Sequence, residues 1–344
     1  MRETKIICTL GPASEKKETL LAMAKAGMNI ARFNMSHGTH AEHLEKLNAV
    51  RQINKEGDVF IETMLDTKGP EVRIGTFENG KVMIEEGQKF SFVCQNIVGD
   101  NTKVQVNYHD LYKYVKVGNT ILLNDGLLTL IVDEVLDKVI VCTAQNGGEV
   151  SNRKGVFVPG VNLQMPFLSD VDKADILFGI ENGFDMVAAS FVQDADDVQQ
   201  LREFLDQNGG HNIKIISKIE TRAALQDIDA IIAESDGLMV ARGDLGVEMP
   251  YEQLPELQLF LLHKAKQADL FSITATEMLE SMIENLRPTR AEITDVANAV
   301  FFDSDAVMLS AESAVGIDPV NTVGVMAKIV DQAELFKKTK KIEL

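Results

Sequence analysis

Six stretches of this chain end an apolar run in residues that carry chemistry. The run NIKIISKIETR, residues 212–222, closes a buried-strand pattern with Lys218 and Glu220. ARFNMSHG offers Arg32, Asn34, Ser36 and His37, a third run ends in Asp66 and Thr67, and ARGDLG carries Asp244. Two more end in Thr276 and in Ser310 with Glu312. An ammonium and a carboxylate in apolar surroundings are costly unless paired or coordinated. A Lys-x-Glu alone is more often a surface ion pair, but the apolar flanks of Lys218 and Glu220 favour a buried site. Glu220 and Asp244 suit a hard divalent cation, since Mg2+ takes one or two carboxylates and leaves its other positions to water and substrate oxygens. Lys218 beside that ion adds a second positive centre, which suits an enolate or a phosphoryl group in transfer. Asn34, Ser36, Asp66 and Thr67 supply oxygen or amide donors with a single charge, a set for a monovalent cation. Arg32 follows a buried strand and needs an anionic partner. Plainer roles exist: Asp244 or Ser36 as helix caps, Thr276 as a core threonine bonded to backbone. His37, His40 and His43 are spaced to diverge around a helix, so a helix-surface placement is expected rather than a three-histidine metal site.

The elements that must position these residues follow a regular alternation. Eight β-like runs, Lys5–Leu10, Asn29–Asn34, Phe60–Asp66, Asp185–Ser190, Lys214–Lys218, Gly237–Ala241, Ser272–Thr276 and Ala306–Leu309, are separated mostly by helix-length amphipathic stretches. Alternating β and α units imply a parallel sheet, and eight of them a closed (β/α)8 barrel of the TIM type, an α/β fold. In such barrels the functional groups project from the C-terminal strand ends, which is where the polar residues collect here. The alternation breaks once. From about residue 71 to 165 the pattern is strand and turn without a clear helix, read as a small antiparallel β-barrel inserted after strand three. The expected domains are 1–69 with 167–344 for the barrel and 70–166 for the insertion. Removing the insertion leaves roughly 250 residues, the usual size of this barrel.

Composition narrows the partners. The chain has 344 residues, 45% hydrophobic and 25% charged, with no Trp. A net charge of −18 argues against nucleic acid or an anionic membrane as partner. An anionic substrate then needs a local basic pocket. Cys8, Cys94 and Cys142 are scattered, which fits a reducing cytoplasm rather than a disulfide framework or zinc site. No apolar run approaches the ~20 residues of a membrane span, and the charged start MRETKIICTLG lacks the apolar core of a signal peptide.

Taken together, TKIICTLGPAS, NIARFNMSHG, LDTKGPEVR, IISKIE, GLMVARGDLGVE, TATEMLESMI and RPTRAEITDVANAV resemble the pyruvate kinase family, in order along nearly the whole chain. The resemblance implies a (β/α)8 A domain with an inserted β-rich B domain, and transfer of a phosphoryl group from phosphoenolpyruvate to ADP, giving pyruvate and ATP. It implies Glu220 and Asp244 as ligands of Mg2+ (or Mn2+), and Lys218 as the residue stabilising the enolate and the phosphoryl in flight. Arg32 is similar to the phosphate-clamping arginine, and Thr276 to the group beside the enolate carbon that takes up a proton. The backbone of Ala241, Arg242 and Gly243, with Asp244, corresponds to the substrate-carboxylate site. Asn34, Ser36, Asp66 and the Thr67 carbonyl resemble the K+ site, and Glu71 the residue of K+-dependent members. The nucleotide side is implied at Arg32, Asn34, His37 and Arg73.

The chain also departs from the family. Val171 and Val315 stand where lysines are usual, Gln193 and Asp194 where an Arg-Lys pair is common, and Glu277 in place of Gln. A charged hydrogen bond to phosphate is worth roughly 1.5–3 kcal/mol, so two lost lysines imply roughly 10²–10⁴ in affinity or rate. The chain ends where the family's A domain ends, so sugar-phosphate activation and a tetramer built through a C-terminal domain are not expected; a monomer, or a homodimer through barrel helices, is. Two alternatives accompany the kinase reading: a non-kinase homologue that binds phosphoenolpyruvate or pyruvate in a regulatory role, and a different metal-dependent enolate reaction.

Overall fold

A computed structural model of the protein describes residues 2–161 and 163–340. Eight parallel strands form a closed barrel: β1 (Lys5–Thr9), β2 (Ile30–Asn34), β3 (Glu62–Asp66), β4 (Met186–Ala189), β5 (Lys214–Ile219), β6 (Gly237–Ala241), β7 (Phe271–Ala275) and β8 (Ala306–Leu309). Each strand pairs with its sequence neighbours and β8 closes on β1. All eight expected runs appear, two with the expected bounds and six shifted at their ends by one or two residues. They are near-continuous apolar because helices cover the sheet from outside and side chains fill it from inside. Three of the flanking helices, His40–Glu56, Asp170–Glu181 and Arg290–Phe301, begin with reciprocal capping boxes from Thr39/Glu42, Ser169/Asp172 and Thr289/Glu292.

The alternation of side chains along each strand decides what reaches the barrel interior. Ile7, Ile30, Met64, Met186, Ala188, Ile216, Met239, Ile273, Ala306 and Met308 belong to one buried cluster inside the barrel. Two residues further toward the C-terminal end, on the same face, come Thr9, Arg32, Asp66, Ser190 and Lys218. The apolar filling is therefore topped by polar side chains from five consecutive strands.

By contact density the chain divides into Met1–Gly69, Phe167–Gly243 and Gln253–Leu344 as one unit, and Pro70–Pro166 with Asp244–Glu252 as the other. The second unit has its own core, including Phe90, Phe92, Ile121, Leu130 and Ile140. Six of its strands form one sheet, in the order Val156–Phe157, Thr120–Leu123, Leu128–Leu136, Val139–Ala144, Lys89–Val93 and Lys103–Gln105; Lys81–Ile84 pairs separately with Gly148–Ser151. The two edges of the six-stranded sheet are sealed by residues 73–74, through antiparallel bridges Arg73 to Gly155 and Ile74 to Val106. Two details differ from the sequence reading. The pair Lys89–Val93 with Lys103–Gln105 is parallel, and one turn of helix, Leu111–Tyr114, interrupts the all-strand pattern. That turn buries Leu111 in the core, a tertiary contact too short to leave a helical period in the sequence.

Candidate active site

Lys218 and Glu220 sit at the end of β5, 8% and 1% exposed. The Lys218 ammonium donates to Ser190 Oγ at 2.7 Å and to Asp66 Oδ1 at 3.1 Å, and lies 3.1 Å from Glu220 Oε1. Asp66, 1% exposed, accepts from Arg32 Nε at 2.6 Å through its other oxygen. Arg32 Nη1 in turn donates to Thr9 Oγ1 at 2.8 Å. Two cations and two carboxylates are thus buried together, each beside opposite charge, which is the condition under which such burial is tolerated. Burial alone would raise the Asp66 carboxyl above its ordinary value. Arg32 and Lys218 outweigh it and hold the group lower, so it stays ionised.

The strand β4 contributes the residue that the sequence reading left without a role. Ser190 is 2% exposed, and its hydroxyl lies 2.7 Å from the Thr67 carbonyl and 3.1 Å from Asp66 Oδ1 while accepting from Lys218. Its inward parity, two residues beyond Ala188, was the available signal. The next residue, Phe191, has φ +57° and directs its N–H onto Glu220 Oε2 at 2.7 Å. A bulky residue in the left-handed region is uncommon and is held there by its surroundings.

The proposed monovalent-cation residues gather at the β2–β3 corner. Asn34 and Asp66 are register partners, and the Ser36 N–H donates to Asn34 Oδ1 at 3.1 Å. The Thr67 N–H bonds the Ala188 carbonyl. This oxygen-rich set with one carboxylate has the donor chemistry for a monovalent cation. Glu220 is a buried carboxylate of the kind a hard divalent ion requires. Asp244 lies in the helix Arg242–Glu248 and groups with the second unit.

At β7 the backbone turns sharply. Thr276 and Glu277 have φ +68° and +52°, and the turn takes Thr276 out of strand parity. Thr276 Oγ1 accepts from the Gly243 N–H at 2.8 Å and donates to the Ala275 carbonyl. Arg242 holds the same corner: its guanidinium donates to the carbonyls of Ala275 and Thr276 and to both oxygens of Asp295. Its side chain is a brace, so only its backbone remains for the expected substrate contact. Glu312, fully buried, is likewise a brace, accepting from the Leu279 and Ser310 N–H groups.

The expected helix-surface placement holds for His40 and is corrected for His43. His40 pairs with Asp175 at 2.6 Å and stacks on Phe178. His43 is buried rather than on the helix surface, and donates to the His37 carbonyl at 2.8 Å; burial lowers its proton affinity. Among the described residues no group of three or more His, Cys, Asp or Glu could hold a metal. In the second unit Arg73 donates to Glu71 at 2.7 Å and to the Arg153 carbonyl at 2.8 Å. No helix among the described residues is long and apolar enough to cross a membrane.

Comparison with known proteins agrees with this geometry. The pyruvate kinase barrel domain matches residues 1–323. A pyruvate kinase of Clostridium acetobutylicum is 48% identical over 335 residues, 97% of this chain and 71% of that protein. One of Sporosarcina psychrophila is 48% identical over 331 residues, 96% of this chain and 56% of its own. The crystal structure of a pyruvate kinase from Cryptosporidium parvum superposes with a TM-score of 0.91 at 42% identity, covering 97% of this chain and 70% of that one. With the motifs, the barrel and the matches in agreement, the chain belongs to the pyruvate kinase family of phosphotransferases.

Proposed function

We infer that this protein transfers a phosphoryl group between phosphoenolpyruvate and ADP, forming pyruvate and ATP as a glycolytic enzyme, with a weakened nucleotide side. The observation that carries the reading is the buried Lys218 ammonium at the barrel's C-terminal rim, held by Asp66, Ser190 and Glu220. Phosphoryl transfer needs positioning and positive charge where negative charge builds up. Lys218 supplies that charge to the phosphoryl oxygens and then to the pyruvate enolate. Arg32 has Nε and Nη1 committed to Asp66 and Thr9, which fixes its plane. Among the described residues Nη2 has no partner, and we assign it to the substrate phosphate. In this reading the backbone at 241–243 and Asp244 take the carboxylate end, and Thr276 is the group beside the enolate carbon that takes up a proton. Arg32, Asn34, His37 and Arg73 line the nucleotide side in this reading. Glu220 and Asp244 would hold Mg2+ or Mn2+, and Asn34, Ser36, Asp66 and Thr67 would hold K+. Bound there, these ions supply electrostatic stabilisation to the phosphoryl oxygens.

A coupled assay of ATP formation with Mg2+ and K+ tests the reading. Turnover is expected, abolished by Lys218→Ala; wild-type turnover no higher than that of the variant rejects it. The second reading, a homologue that binds phosphoenolpyruvate or pyruvate without kinase activity, draws on one observation. Val171 and Val315 are 52% and 56% exposed, so core packing does not explain their replacing the usual lysines. The variant Val171→Lys/Val315→Lys is expected to lower the KM for ADP by about 10²-fold or more, since each charged phosphate contact is worth roughly 1.5–3 kcal/mol. An ADP titration of both proteins reads this directly. An unchanged KM removes the two valines from the nucleotide side.

A further inference from the structure

Around the Lys218 ammonium stand two carboxylates, Asp66 and Glu220, and the Ser190 hydroxyl, and these three neighbours are not equivalent. Asp66 and Glu220, each 3.1 Å away, offset part of the positive charge that a phosphoryl group or an enolate would use. Ser190 Oγ makes the shortest of the three contacts, 2.7 Å, and carries no charge. A hydroxyl therefore orients the ammonium without neutralising it. The hydroxyl is itself oriented. It accepts from Lys218, so its single proton must go elsewhere, and the nearest acceptor is the Thr67 carbonyl at 2.7 Å, nearer than Asp66 Oδ1 at 3.1 Å. Lysine has a long flexible stem and reaches a defined position only where several groups anchor its head.

The backbone beside Ser190 is built to the same end. Gly69, φ +69°, lies so close that a Cβ there would stand 2.8 Å from the Ser190 carbonyl oxygen and 2.9 Å from its Cβ. Phe191, in the left-handed region, turns its N–H onto Glu220 Oε2. One dipeptide thus fastens both charges of the Lys-x-Glu, the ammonium through a side chain and the carboxylate through a backbone donor.

We propose that Ser190 is a positioning residue for Lys218, aiming the ammonium at the transferring group, while the Phe191 N–H independently orients Glu220. The inference rests on the assignment of Lys218 given above. The side-chain and backbone roles are separable. Ser190→Ala is expected to lower kcat about 10- to 100-fold, the size of one charged hydrogen bond, with the KM for phosphoenolpyruvate changed less than about twofold. Mn2+ affinity, followed by electron paramagnetic resonance titration without substrate, is expected to stay at the wild-type value, because the Phe191 donor to Glu220 remains. Ser190→Cys fills the site with a slightly larger side chain of the same shape and weakens the acceptor; it is expected to lower kcat in the same direction and covers the case in which the alanine variant does not fold. A kcat within about twofold of wild type in both variants overturns the positioning role. So does a joint loss of kcat and Mn2+ affinity, the mark of a collapsed corner. Wild-type turnover no higher than that of Lys218→Ala overturns the functional reading and the inference with it.

Discussion

Asp66 is the residue on which the buried charges depend. It accepts from Arg32 with one oxygen and from Lys218 with the other, so its carboxylate separates two cations that would otherwise repel in a low-dielectric setting. Asp66→Asn keeps the shape and removes the charge. Leaving buried cations unmatched costs about 3–5 kcal/mol, and urea unfolding of the variant is expected to show a loss of that order. The pH dependence has a definite sign. The folded Asp66 carboxyl is held below its ordinary value of 3.8, so the stability its charge contributes is complete above that value. It is lost as pH falls through the lower folded value. The gap between wild type and Asp66→Asn should therefore hold from neutrality to about pH 4 and narrow only in stronger acid. A gap that closes near pH 6 would contradict this account.

At the level of elements, strand parity and strand ends divide the work. Parity carries Thr9, Arg32, Asp66, Ser190 and Lys218 to the barrel interior; left-handed residues at Phe191, Thr276 and Glu277 re-aim the backbone immediately after β4 and β7. Gly69 follows β3 and lies against the corner after β4, with its N–H bonded to Asp172 at 2.9 Å. Gly69→Ala combines a positive φ with a Cβ that would meet the Ser190 backbone. A loss of about 1–3 kcal/mol in thermal stability is expected, with a fall in kcat as Ser190 is displaced. A variant as stable and active as wild type would show that the corner yields without consequence.

For the whole molecule, the second unit has a core of its own, with Phe90 and Phe92 packed edge to face and fully buried. We expect residues 70–166 expressed alone to fold, with a cooperative thermal transition by circular dichroism. A featureless melt would show that this segment depends on the rest of the chain.

The sequence by itself determined the eight-strand alternation, the place where it breaks and the residue types at the rim. These are local properties: apolar runs of strand length, amphipathic spacing and capping residues leave their mark on neighbouring positions. The motif resemblance supplied the chemistry for the same reason, since each motif is a short contiguous segment. Lys218 was legible because a charge ending an apolar strand is conspicuous. Its partners were not. Asp66 lies 152 residues away along the chain and Ser190 lies 28 away, and only barrel closure sets β3, β4 and β5 side by side. Nor does a serine at a strand end announce itself, and nothing local marks Phe191 for a left-handed backbone or His43 for burial. The Arg242 side chain and the Glu312 carboxylate are taken up by groups on neighbouring elements, which their positions in the chain did not reveal. The types of residue at the mouth were thus written in the chain, whereas which of them face the reaction and which hold the frame was decided by tertiary packing, where buried charges must find partners far off in sequence.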